Sequence, residues 1–494
     1  MAWPRRIFIS RWIGVSNIRS ANGWHIGRIC VQKKLVSLCA ISALFSISAF
    51  AQEPESARYD RALAAGYKAQ FICSGLWNGG KSLPDIKADE LTGIYERIAD
   101  IVPDLTEEVD ESSRQVRVRF ADDAPPRVAI WNRKSGCTAM PIGLGGIKAG
   151  AQTKMRDFGD DRLWPMGDRD AVAGTSARSP DLESAADRAF QPQVYGGKTS
   201  AVLILRDGKI HAEKYKNGHD LHTGQRTWSV AKSIAGTLIG HSVQQGVLDV
   251  SARAAIPQWQ KFGDPRQSIT IDNLMRMASG LVSDTAGNRT DPIYMGGATV
   301  SERGPIWPLL YQPGTRFRYA NNDTLLAVLA AQAQYQRSDN GMPAVQDTEF
   351  DPHGFFQKLG MTRTYAETDW QDNYILSSQV WTTARDLGRL GILYLNNGMW
   401  NGERLLPDNW REYVSSPSGP QPEGRNFGYG ATFWLMNQSD GIPEDAFAAF
   451  GNRGQYLVII PSKNLVIVRR GYDTSEDRFD IEAFTKAIVA TIDR

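Results

Sequence analysis

Two pairs of apolar runs fix the two ends of the largest folding unit in this chain. In "SAVLILRDGKIHAEKY" the runs meet at Asp207-Gly208, a dipeptide that accepts the positive φ of a two-residue hairpin turn. In "GQYLVIIPSKNLVIVRRG" they meet at Ser462-Lys463-Asn464. Turns this tight join antiparallel strands, because parallel strands need a long crossover. "YGATFWL" and "DAFAAF" are further strand candidates just before the second pair. We therefore expect the first and last strands in one sheet. Helices would pack on it, namely "DLESAADRAF" before the hairpin and the amphipathic "DIEAFTKAIVATI" at the end. Between about 251 and 424 the pattern is mostly helical. "IDNLMRMASGL", "DTLLAVLAAQAQYQ" and "TTARDLGRLGILYLNNG" are its clearest helices, the last stopped by Gly398. The expected fold is α/β of the α+β type: an antiparallel sheet flanked by helices, with an inserted all-helical domain and an N-terminal extra region.

Before this unit, residues 52–150 read as a mixed accessory region. "ADELTGIYERIADIV" has helical spacing, with Leu91, Ile94, Ile98 and Ile101 on one side. "RQVRVRF" and "PRVAIWN" read as strands. Residues 151–180 lack periodicity and read as a linker. Residues 1–51 read as a leader. Lys33-Lys34 precede the short apolar run "LVSLCAISALFSISAFA", the pattern of a secretory signal cleaved near Gln52. The basic stretch before it is unusual for a signal and raises a translation start near Val31. Seven of the 56 Lys/Arg and none of the 54 Asp/Glu lie in the leader, so the remainder carries 49 against 54, a formal charge of −5. No basic patch then points to nucleic acid. No stable membrane span is expected after cleavage, and the oligomeric state is not readable. Of four Cys, only Cys73 and Cys137 lie outside the leader. In an oxidising compartment they are expected to form a disulfide, adding about 4 kcal/mol by restricting the unfolded chain.

The chemistry rests on "RTWSVAKSIAGTLIG". Ser229 and Lys232 stand three apart at a helix start and so share one face. The pair reads either as a nucleophile with its base or as a solvated helix start with Ser as a cap. Serine needs a base within hydrogen-bond reach, and lysine serves only if burial or positive neighbours lower its pKa. Two observations favour chemistry: no other lysine has a serine at that offset, and the segment around Lys232 is apolar. In "PGTRFRYANND", Tyr319 and Asn321 sit at a loop-to-helix entry, where a phenol can pass a proton and an amide can hold the amine. "FAAFGNRGQ" reads either as a plain β-bulge with glycines for turning or as a strand end where Gly451 lets a substrate lie against the backbone and the N–H of Asn452 serves as a second oxyanion donor beside that of Ser229. Trp228 and Gly451 would form pocket wall. The histidines make no His-Glu-x-x-His pair, so zinc is not expected; His211, His219 and His222 are expected to face water. There is no Gly-x-Ser-x-Gly elbow and no phosphate-cradling loop.

Together "TWSVAKSIAGTLIG", "GVLDV", "ITIDNLMRMASGL", "PGTRFRYANND" and "GQYLVIIPSKNLVIVRRG" resemble the serine β-lactamase and penicillin-binding protein superfamily, in its class C-like branch. The resemblance covers roughly residues 181–494, and its wording is most similar to the 6-aminohexanoate-dimer hydrolases. It implies an acyl-enzyme on Ser229, shared acid–base duty for Lys232 and Tyr319 with the order of proton transfer open, and no cofactor or metal. It also implies Asn321 as orienting group, and an oxyanion hole from the N–H groups of Ser229 and Asn452. One position departs. Where the family often has Lys or His, then one residue, then Gly, this chain has Ala449-Phe450-Gly451. The cation that grips a substrate carboxylate is missing, and Arg453 just beyond reads as an exposed turn arginine. The expected function is an exported serine hydrolase acting on a small amide or ester. The alternatives are a D-Ala carboxypeptidase or β-lactamase, and a non-catalytic binding protein of the same fold.

Overall fold

A computed structural model describes residues 54–144, 158–169, 177–282, 290–338, 349–424 and 426–494. The chain divides into two units, Met1–Gln52 and Glu53–Arg494, and every described residue lies in the second. The expected leader, and residues 151–157 and 170–176 of the expected linker, fall outside the described residues. Among those described, no helix is long and apolar enough to cross a membrane.

The N-terminal region is a long helix, Glu55–Trp77, laid on a four-stranded antiparallel sheet. Its strands are β1 (Glu107–Asp110), β2 (Gln115–Val118), β3 (Arg127–Asn132) and β4 (Gly136–Met140), in that order. Cys73 on the helix is disulfide-bonded to Cys137 on β4, across 64 residues of sequence. The single helix expected through Leu91–Ile101 does not form. Helix Leu83–Asp89 stops short, Gly93 adopts φ +62°, and only Glu96–Ala99 is helical beyond it. Leu91 and Ile98 are nonetheless buried, so the spacing reported burial and not a continuous helix.

The hairpin forms as expected from β5 (Thr199–Arg206) and β6 (Lys209–Tyr215), with φ +51° at Asp207 and +72° at Gly208. A small sheet follows from β7 (Gln225–Arg226), β8 (Tyr365–Ala366) and β9 (Val380–Thr382), ordered β7-β9-β8. β10 (Met399–Trp400) and β11 (Glu403–Arg404) pair alone. The closing strands are β12 (Gly428–Tyr429), β13 (Trp434–Leu435), β14 (Phe447–Gly451), β15 (Gln455–Ile460) and β16 (Leu465–Gly471). β16 pairs antiparallel with β5, giving one seven-stranded sheet in the order β12-β13-β14-β15-β16-β5-β6.

Both faces of that sheet are apolar, which is why its strands read as continuous runs. Leu203, Leu205, Leu457, Ile459, Val466 and Val468 enter one core, shared with helices Val230–Gln244 and Ala384–Leu395. Their alternating neighbours Val202, Ile204, Val458, Ile460 and Ile467 enter another, under helices Pro180–Arg188 and Ile481–Ile492. The block between 251 and 424 is less helical and less separate than expected. Helix Ile271–Met275 is five residues long and ends before Met277, which takes φ +57°. Helix Ala384–Leu395 lies on the sheet, because Gly388 and Gly391 face Leu203 and Val466 so closely that a Cβ would fall 2.8 and 2.5 Å from their methyls.

The N-terminal region shares its core with the rest of the unit: Trp228, Met295, Tyr365 and Trp381 are buried with Phe71 and Ile72 of its helix. Arg470 of β16 ties the two sheets together near this junction. Its guanidinium donates to Thr382 O at 2.7 Å, Gln225 O at 2.8 Å and Gln455 Oε1 at 2.7 Å.

Candidate active site

Ser229 stands at the N-terminus of helix Val230–Gln244, and its hydroxyl makes no capping hydrogen bond. The helix is buried along most of its length, close against Thr432 and Trp410 through Gly236 and Gly240. The preceding residue, Trp228, holds φ +50°, a costly conformation for a bulky side chain and one that clusters at functional sites. This kink turns the chain from β7 into the helix and leaves Ser229 half-buried at the bend.

Lys232 is 1% exposed. Its Nζ lies 3.1 Å from Ser229 Oγ, 2.6 Å from Asn321 Oδ1 and 2.8 Å from the carbonyl oxygen of Ser377. A solvated helix start is thereby excluded. Burial, then the nearby positive charge of Arg226, lowers the amine from its usual range to about 7. A neutral amine has two N–H groups and one lone pair. With the two N–H groups given to Asn321 and Ser377, the lone pair is left for the Ser229 hydroxyl. The ring of Tyr319 stands beside the amine, its centroid 5.1 Å from Nζ. Asn321 opens helix Asn321–Ser338, and its Nδ2 donates to Thr290 Oγ1 at 3.4 Å.

The end of β14 completes the cluster. A Cβ on Gly451 would lie 2.3 Å from Thr227 O and 3.3 Å from Ser229 N, so the strand meets the helix start with no room for a side chain. Asn452 follows, itself exposed, on a turn closed by the buried Arg453 at φ +58° and Gly454 at +74°. The segment thus brings Ser229, Lys232, Tyr319, Asn321 and Gly451-Asn452 to one place.

Other expectations change. Trp228 is not an open pocket wall: it is 5% exposed and packs in the N-terminal core, its ring 6.1 Å from Phe71 and 6.0 Å from Tyr95. Arg453 is not an exposed turn residue; it is buried, and its Nη2 donates to Thr92 O at 2.8 Å. His219 does not face water, since Nε2 is 3.1 Å from the Tyr472 hydroxyl and burial lowers the imidazole to about 4. His211 and His222 are partly exposed. His222 lies near Asp160 and Asp168, but Arg363 and Arg389 already pair with these carboxylates at 2.6 and 2.7 Å. Ala449, where a cation would sit, is wholly buried.

Sequence reasoning missed Ser377, Tyr294 and the aromatic cluster beside Tyr319. Tyr294 OH and Ser377 Oγ are 2.5 Å apart, which fixes the residue whose carbonyl holds Lys232. Trp434 packs 5.3 Å from Tyr319 and stacks 6.1 Å from Phe450. Only Phe450, beside Gly451, carried a local signal. The others arrive from distant sequence.

Residues 186–470 match the family model described as Beta-lactamase. The chain is 24% identical over 327 residues to the 6-aminohexanoate-dimer hydrolase of Paenarthrobacter ureafaciens, covering 61% of this chain and 76% of that protein. It is 21% identical over 296 residues to an uncharacterized protein of Alkalihalophilus pseudofirmus, covering 55% and 82%. Among solved structures, the penicillin-binding protein homologue of Pyrococcus abyssi is similar at a TM-score of 0.47 and 16% identity, covering 63% of this chain and 76% of that one.

Proposed function

Because this chain belongs to the beta-lactamase family of serine hydrolases, we propose that it cleaves a small amide or ester through an acyl-enzyme on Ser229. The observation that carries the reading is the buried Lys232 amine, lowered to about 7 and 3.1 Å from Ser229 Oγ. Lys232 accepts the hydroxyl proton as Oγ bonds to the substrate carbonyl carbon. The carbonyl oxygen takes the electron pair and is held by the N–H groups of Ser229 and Asn452. Collapse of this intermediate breaks the bond to the leaving nitrogen or oxygen, which receives the proton from Lys232 or through Tyr319. Water then adds to the acyl carbon by the same route, giving the acid and free Ser229. Asn321 fixes the amine by accepting one of its N–H groups.

Ala449 at the third-motif position, together with the aromatic cluster that Tyr319 forms with Trp434 and Phe450, supports a substrate without a carboxylate anchor. The likeness to a 6-aminohexanoate-dimer hydrolase supports a linear amide. We also propose export, supported by the leader pattern and by the Cys73–Cys137 disulfide, a bond that persists in oxidising compartments. The test is turnover of short-chain p-nitrophenyl esters, a 6-aminohexanoate dimer and a chromogenic cephalosporin by the wild type and Ser229→Ala. Hydrolysis of the ester or the dimer, lost in Ser229→Ala, is expected. Faster turnover of the cephalosporin would instead favour a β-lactamase.

A further inference from the structure

Residues 54–144 lie outside the matched family region, yet their long helix packs against the back of the catalytic cluster. At Gly66 a Cβ would fall 1.9 Å from Met295 O. Gln70 and Ser74 on the helix and Asn78 at its end donate to the Glu367 carboxylate at 3.0, 2.5 and 2.9 Å. Phe71, between them, sits over Arg226.

Arg226 is three residues before Ser229 and 2% exposed. Its guanidinium donates to Ser378 Oγ at 2.7 Å and Ser378 O at 3.4 Å. The rings of Trp228, Phe71 and Tyr294 surround it, with centroids 3.9, 4.7 and 5.7 Å away. No carboxylate among the described residues pairs with it. This matters electrostatically. A carboxylate partner would cancel the cation's field, whereas aromatic faces hold a cation through their quadrupoles and leave its net charge intact.

We infer that Arg226 is an electrostatic positioning residue for the reaction, and that the N-terminal region, through Phe71, holds this fixed positive charge beside the amine on which the chemistry depends. The inference rests on the hydrolase reading above. The groups around Lys232 agree with it. Tyr319 faces the amine from the segment before its helix, Tyr294 reaches it through Ser377, and Arg226 is held on Ser378, the residue after the Ser377 whose carbonyl takes the Lys232 amine; burial first, and then this guanidinium, lowers the amine. Glu367, which also feels Arg226, is raised by burial to about 7, and its carboxyl is held by Gln70, Ser74 and Asn78 and not by the guanidinium. Tyr95, packed on Trp228, is raised by burial and stays neutral across the working range.

The test is the pH dependence of fluorophosphonate labelling rate in the full chain, which needs no knowledge of the natural substrate. Removing a positive neighbour makes the amine hold its proton to higher pH. In Arg226→Met the acidic limb is expected to move up by about one pH unit, so labelling at pH 6 falls about tenfold while the alkaline plateau survives. Arg226→Lys restores most of the shift. Phe71→Leu, which keeps Arg226 but opens its cage, moves the limb the same way by less, and it carries the test if Arg226→Met does not fold. A rate lowered by one factor at every pH, with the limb unmoved in both Arg226→Met and Phe71→Leu, overturns the inference while leaving the hydrolase reading standing. A wild type that is never labelled overturns the hydrolase reading and this inference with it.

Discussion

Gly451→Ala tests the oxyanion arrangement most economically, since it adds one methyl group and no charge. That methyl would lie 2.3 Å from Thr227 O and 3.3 Å from Ser229 N. An ordinary carbon contact needs roughly 3.5 Å, so the strand and the helix start must separate by about 1 Å. Thr227 cannot retreat freely, because its N–H donates to Val380 O at 2.8 Å and the next residue already holds a strained φ. The displacement therefore falls on the Ser229 and Asn452 donors. A 1 Å misplacement costs about 10²-fold in rate, and loss of one oxyanion donor costs about 10²–10³-fold. Overpacking should also lower stability by about 1–3 kcal/mol. Fluorophosphonate labelling should slow about 100-fold at every pH, without movement of the acidic limb, and thermal melting should fall by a few degrees. Labelling within a few-fold of the wild type would refute the idea that this strand end supplies a donor.

Three further outcomes follow from the same geometry. Lys232→Met should lose labelling by several orders of magnitude while keeping the fold, as circular dichroism would show, because a buried amine is replaced by an apolar side chain of similar length. The folded-state amine is at about 7 against an ordinary 10.5, so the unfolded chain binds the extra proton between these values; wild-type stability should rise with pH across that window, and denaturant melts of Lys232→Met should lack this component. Cys73→Ser with Cys137→Ser should lower stability by about 2–5 kcal/mol, and reductant should destabilise the wild type but not the double variant in the same melts.

The parts of this protein that were legible in its sequence are those built by local chemistry. Asp207-Gly208 and Asn464 supply the positive φ that their turns require, so strand pairing could be read from them. Ser229 and Lys232 meet because a helix places residues three apart on one face, and Tyr319 and Asn321 enter at a helix start. Long-range packing was not legible. Phe71 reaches Arg226 across a large stretch of chain, and nothing in "AQFICSGLW" announces that contact. His219, Trp228 and Arg453 read as surface or pocket residues because their partners, Tyr472, Tyr95 and Thr92, come from elements distant in sequence. The helix expected through Leu91–Ile101 failed for a related reason. Its apolar spacing is satisfied by burial against the core, while Gly93 takes φ +62° and a Cβ there would fall 3.2 Å from the Thr474 methyl.

The central claim is that a buried, unprotonated lysine makes Ser229 a nucleophile. Peptide mass mapping after fluorophosphonate treatment tests it most directly. A single adduct is predicted, on the peptide carrying Ser229, forming with an acidic limb near pH 7 and absent from Lys232→Met. An adduct on another residue, or none on the folded wild-type chain, would contradict the account.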